Sequence, residues 1–235
     1  MKALIWLGIR SGVIVISVLI ATASLTCWAG SGVPRGIFIP SRSKTHVHAH
    51  ISKVRIEDYP ALTNIHALYT AYFDGGATDE KLKALAQLRF TNLECVVVAN
   101  SPAVTDNGIE PLSRIPTLER ISLSGLSITD KSCETLVTKM HLLGIHVPDC
   151  SNVTVNGLVK LAQAETVESL SFSLGKLRQD DLIRLIITAA SQLGRIDIVM
   201  NDGAESRLDL PALRKAAKAK RIRLFKIQNR VCSDM

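Results

Sequence analysis

Apolar side chains recur along this chain in groups of three, spaced first by three residues and then by two. Around Cys150 the group is Leu142, Ile145 and Val147, with His146 between the last two. The same frame puts its middle member at Leu68, Val96, Ile121, Ile145, Leu170, Ile196 and Ile222, at intervals of 28, 25, 24, 25, 26 and 26 residues. The first member is then Ile65, Leu93, Leu118, Leu142, Val167, Leu193 and Ala219, and the third Thr70, Val98, Leu123, Val147, Phe172, Ile198 and Leu224. Only Thr70 is polar. Alternation over the last two members is the strand period, which turns both to one side of a sheet. A frame held over seven copies predicts stacked coils, each strand resting its inward side chains on the next.

A second pattern precedes the strands. Thr78-Asp79 leads to Leu82 and Leu85, Thr105-Asp106 to Ile109 and Leu112, and Thr129-Asp130 to Cys133 and Leu136. Thr154 with Leu158 and Leu161 continues the series. A Thr or Asp oxygen that accepts from an orphan N–H of the first turn marks a helix start, and apolar residues three apart supply its buried face. Asp180-Asp181 before Leu185, and Leu210-Pro211 before Leu213, are looser copies. Each repeat therefore reads as strand, turn and short helix.

With its closing residue, the group Leu142, Ile145, Val147, Cys150 fits the pattern L-x-x-L-x-L-x-x-N/C. Over roughly residues 62 to 228 the chain resembles the leucine-rich repeat family. The Thr-Asp helix starts, Cys150 and Asn201 are similar to its cysteine-containing subtype, found in bacterial envelope proteins and F-box adaptors. Ser101, Leu126 and Gly175 depart from that subtype at the closing position. The resemblance implies an α/β solenoid: a parallel β-sheet of about seven strands on the concave face, short helices on the convex face, and protein binding without catalysis.

In such a solenoid the residues between the inward positions face the concave side. One row is Ala67, Cys95, Arg120, Gly144, Ser169, Arg195 and Arg221; the next is Tyr69, Val97, Ser122, His146, Ser171, Asp197 and Arg223. Tyr69, Arg120, His146, Arg195 and Asp197 are the candidate partner contacts. Ser122, His146, Ser171 and Asp197 superficially imitate a hydrolase triad. Strands about 4.8 Å apart, however, would leave Asp197 about 10 Å from His146, too far to orient it. No phosphate loop, zinc-protease motif or CxxC pair occurs. The chain is read as a non-enzyme with no catalytic residue and no cofactor.

The N-terminus differs in kind. Lys2 and Arg10 precede 19 uncharged residues, Ser11 to Ala29. About 20 apolar residues span a bilayer, so residues 1–29 suit a single-pass anchor. Ala21-Thr22-Ala23 offers a cleavage pattern, which makes a signal peptide the rival. Arg35, Arg42 and Lys44 follow the segment, so flanking charge does not orient it. An export signal favours the extracytoplasmic face, with secretion as the alternative.

Residues 30–50 read as a linker, rich in Gly, Pro and Ser as far as Lys44. Within it, an extended His46–His50 would set three imidazoles on one face. Side chains two apart on one strand diverge, so a polar edge or capping strand is expected there rather than a metal site. Residues 51–64 are read as an N-terminal cap, 51–228 as the repeat domain with a basic C-terminal cap, and 229–235 as a tail.

Composition fits one domain with an appendage: 235 residues, 47% hydrophobic, and only 4% aromatic, so aliphatic side chains must fill the core. Cys133 and Cys150 fall at inward positions and read as small apolar residues. The formal charge of +7 is concentrated at the end: from Arg214 to Arg230 there are eight basic residues and no acidic one. That run reads as a solvated cap or as attachment to an anionic membrane surface. Nucleic acid is not expected, because no aromatic stacking platform accompanies the charge. The leading function is a protein-binding module at the cell envelope with an unidentified protein ligand. The alternatives are an intracellular F-box-like adaptor and a metal-binding or enzymatic protein using His46–His50.

Overall fold

The computed structural model describes residues 38–42, 46–65, 68–139, 141–200 and 204–228. Residues 1–29, read from the sequence as an anchor or signal peptide, Asn201 and the 229–235 tail lie outside them. Among the described residues nine strands form one sheet in chain order. They are β1 (Phe38–Arg42), β2 (Val47–His50), β3 (Leu68–Asp74), β4 (Cys95–Ala99), β5 (Arg120–Ser124), β6 (Gly144–Val147), β7 (Ser169–Ser173), β8 (Arg195–Met200) and β9 (Arg223–Gln228). Strands β2 to β9 pair in parallel, and β1 closes the edge antiparallel to β2. Six α-helices among the described residues cross on the other side: α1 (Asp79–Ala86), α2 (Asp106–Ile109), α3 (Asp130–Lys139), α4 (Val155–Gln163), α5 (Gln179–Thr188) and α6 (Leu210–Ala219). This is the leucine-rich repeat solenoid, with eight parallel strands rather than about seven.

The central frame is as the sequence spaces it: Val96, Ile121, Ile145, Leu170 and Ile196 stand opposite one another. Both ends slip. Val96 pairs with Ala71, not Leu68, so the first group is Leu68, Ala71 and Phe73, all buried. The polar exception disappears with that shift, and Thr70 becomes a concave residue. At the other end Ile196 pairs with Leu224, not Ile222. The register position after it is held by Lys226, which no further described coil has to cover.

Residues 38–50 are not all linker. Val47 and Ala49 of β2 are buried, and Ile51 beyond it is fully buried, so a further coil precedes those the frame marks. Its convex element is a 3-10 helix, Ile56–Asn64, which buries Tyr59 and Leu62. The region read as a cap is therefore a repeat, and the capping strand is β1. The β1 register shifts between Phe38 and Ser41, where Pro40 lacks an N–H to donate. Proline is confined to edge strands and bulges for that reason.

The helix starts are where the Thr residues put them. Thr78, Thr105, Thr129 and Thr154 accept from Lys81, Asn107, Lys131 and Asn156 backbone N–H groups. The aspartates do something spacing did not reveal: each reaches forward to the next repeat. Asp79 accepts from Thr105 N–H at 2.8 Å and its hydroxyl at 2.6 Å. Asp106 does the same with Thr129 and adds Ser132. Asp130 holds Thr154 at 2.7 and 2.6 Å.

Each incoming carboxylate needs room at the third helical position. There stand Gly108, Ser132 and Gly157, and a Cβ on either glycine would collide with the Asp79 or Asp130 carboxylate. Where no such Asp precedes, the position holds Lys81, Asp181 or Ala212. Burial works against ionising Asp106, but donors from Ser132 and Thr129 outweigh it and leave its carboxyl below the usual range.

Closing positions contribute further ties. Ser101 accepts from Ala77 N–H and donates to the Ala99 carbonyl, while Cys150 donates to the Leu123 carbonyl. Cys133 and Cys150 are buried as expected, and burial pushes the Cys133 thiol up to about 12. It is a packing residue at neutral pH.

Candidate functional site

The concave face follows from the corrected register. One row runs His48, Thr70, Cys95, Arg120, Gly144, Ser169, Arg195 and Arg223. The next runs His50, Tyr72, Val97, Ser122, His146, Ser171, Asp197 and Phe225. The sequence rows placed Ala67 and Tyr69 at the start and Arg221 with Arg223 at the end. His48, His50, Thr70 and Tyr72 are concave residues they missed, and Phe225 holds the last register position of the second row.

Of the five candidates, two pairs form. Arg120 donates to the Tyr69 hydroxyl at 3.0 Å, reaching from β5 across β4 to β3. Beside it, Gly144 leaves space: a Cβ there would press within 3.2 Å of Ser169 Oγ and lie 3.5 Å from the Arg120 stem. Arg195 Nε donates to both Asp197 oxygens, at 3.0 and 2.9 Å, with side chains only 11% and 13% exposed. Both residues project from the same face of β8, two apart, as strand alternation requires.

His146 stands between these pairs. Burial lowers its pKa, and the Asp197 and Asp149 carboxylates recover part of the shift. The imidazole is therefore neutral at pH 7. Ser171 lies between His146 and Asp197 in register, so the two are not neighbours. The Asp197 carboxylate is occupied by Arg195, which leaves the triad imitation without its orienting bond. Ser171 Oγ is buried and has no hydrogen-bond partner among the described residues. A buried hydroxyl left unpaired costs about 1–3 kcal/mol, which a bound polar group would recover.

At the N-terminal end the histidines meet aromatic rings. His46 packs edge-on against Tyr69 at 4.4 Å between centroids, and His50 stacks on Tyr72 at 4.9 Å. His48 Nδ1 lies 3.0 Å from Thr70 Oγ1. Burial lowers the pKa of His48 and of His50; neighbouring His46 adds to the first shift and Asp74 opposes the second. Their shared face is as alternation predicts. Among the described residues no group of three or more His, Cys, Asp or Glu is placed to hold a metal.

The concave face thus grades from an aromatic and imidazole end, through small serines, to a guanidinium and carboxylate end. Such a grading can orient a protein ligand along the sheet.

No protein-family model matches the chain, and no curated protein matches it in sequence. Solved structures do match. The leucine-rich repeat-containing protein LegL7 from Legionella pneumophila is similar with a TM-score of 0.52 at 9% identity, over 76% of this chain and 72% of that one. The Rad7 and Elc1 complex in yeast also aligns, with a TM-score of 0.34 and 13% identity over 74% and 66%. At such identities the likeness to LegL7 is one of fold: this chain is built as a leucine-rich repeat protein.

Proposed function

We propose that the chain is a non-enzymatic protein-binding module of the cell envelope, whose concave sheet engages its partner through Tyr69, Arg120, His146, Arg195 and Asp197. The observation that carries this reading is the preorganisation of those side chains. Arg120 on Tyr69 and Arg195 on Asp197 are already ordered, so a partner meeting them has less side-chain entropy to remove. The unpaired Ser171 hydroxyl at the centre adds a group that binding would satisfy.

A photocrosslinker at position 146, compared with one at exposed Ile187 on the convex side, tests the surface in cells. A specific adduct from 146 that Arg195→Glu abolishes supports the concave face; equal labelling from both positions defeats it.

Location at the envelope rests on the charge-free run from Ser11 to Ala29. Among the described residues no helix is long and apolar enough to cross a membrane, and that run lies outside them. Intact mass after fractionation tests it. Full-length protein released only by detergent supports the single-pass anchor, whose extracytoplasmic face a protease applied to intact cells would test, and loss of the segment with release indicates secretion. An intact soluble cytosolic protein would favour the intracellular adaptor.

A further inference from the structure

Helix α6 ends in a paired closure: Ile222 N–H donates to the Ala217 carbonyl at 2.8 Å and Arg221 N–H to that of Lys218 at 3.1 Å. The residue that turns the chain is Arg221, at φ 59°. Glycine is usual there, because a Cβ is disfavoured in the left-handed region. Here a guanidinium occupies it, at the rim of an open cleft of about 380 Å3. Arg214, Lys218 and Arg223 complete the rim, and Ala217, Ile222 and Leu224 form an apolar floor.

Arg214 and Lys218 are one turn apart on α6 and so share a face. All four basic residues are exposed. Among the described residues no salt bridge neutralises any of them. Cations drawn from a helix, its closing turn and a strand converge on one end of the solenoid, around a floor that is not polar. A small anion would be met by one or two of them. A plane of phosphates lying over an apolar layer meets all four and the floor together.

We propose that this end of the solenoid docks on a membrane surface bearing anionic phospholipids. The contact shares only Arg223 with the concave face and rests on the envelope reading only for where it operates.

The test is flotation of the full chain with vesicles of equal parts phosphatidylglycerol and phosphatidylcholine, against phosphatidylcholine alone. Insertion of the uncharged Ser11 to Ala29 run would be common to both vesicles, so the quantity read is the preference for the anionic vesicles. Wild type should show that preference and lose it at high salt. Each charge removed should lower it about fivefold. The variants are Arg214→Gln with Lys218→Gln, and separately Arg221→Gly.

The last separates binding from folding, because glycine relieves the positive φ: Arg221→Gly should melt no lower than wild type yet prefer anionic vesicles less. Equal partition into both vesicles, or a preference unchanged in the variants, overturns the proposal. So does binding to soluble polyglutamate in place of anionic vesicles, which would assign the cleft to an acidic protein. Flotation by a chain that fractionation shows to be secreted would leave this proposal standing while the anchor fails.

Discussion

The joints between successive helices are built to one plan, yet one of them lacks a polar tie at the first helical residue. In α1, α2 and α3 the first helical residue is Asp79, Asp106 and Asp130, and each carboxylate grips the capping Thr of the next repeat. Between α5 and α6 the same position is Gln179, whose amide accepts from Asp209 N–H at 3.1 Å and donates to its carbonyl at 3.3 Å. Between α4 and α5 the position is Val155, which packs against the core instead. Arg178, deprived of a partner from the preceding repeat, gives its N–H to Asp181 of its own helix at 2.9 Å. Convex-side cohesion is thus a local choice made joint by joint, and where a carboxylate arrives the third residue of the next helix is small.

The comparison breaks most severely at Gly157. Gly157→Val would drive side-chain atoms into the Asp130 carboxylate and within 3.1 Å of Cys133 Sγ. A loss of about 3 kcal/mol or more, read by urea denaturation, is expected, as for an overpacked core.

Asp106→Ala should follow at about 2–3 kcal/mol, because it abandons donors from Thr129 and Ser132 together. The sign with pH is fixed by the depressed carboxyl. The Asp106 contribution is present above its unfolded value of about 3.9 and is lost as pH falls through the lower folded value. Wild type and variant should therefore converge in strong acid.

Gln179→Ala removes the neutral tie and should cost about 1 kcal/mol. Its smaller effect than Asp106→Ala is the measurement that ranks a charged against an uncharged joint. Conversely, Val155→Asp with Arg178→Thr and Asp181→Gly installs the missing joint and should recover about 1 kcal/mol. Val155→Asp alone, facing Asp181, should not stabilise.

The smallest effect concerns the concave side. His48, His50 and His146 have lowered values, so the unfolded chain takes up protons at about pH 6.5 before the folded chain does. Stability should then fall as pH drops below that point, by a few degrees in Tm at most for a domain of this size. His48→Gln with His50→Gln should flatten that slope without touching the convex joints.

The sequence by itself determined the repeat, its period, the Thr caps and the inward cysteines. These follow from local rules: a strand alternates, a helix start needs an acceptor, and stacked coils demand the same apolar frame. It also placed His48 and His50 on one face. The ends were beyond it, because Leu68, Ala71 and Phe73 satisfy the spacing as well as Ile65, Leu68 and Thr70 do. Only pairing with β4 chooses between them.

Tertiary structure alone decided that β1 and β2 belong to the sheet, that Arg120 reaches Tyr69 from 51 residues away, and that an aspartate beside one cap serves the next. The physical reason is common to all three. A short polar or glycine-rich segment carries no period of its own, and a hydrogen bond between coils depends on which residues the stacking brings within 3 Å, not on their distance along the chain.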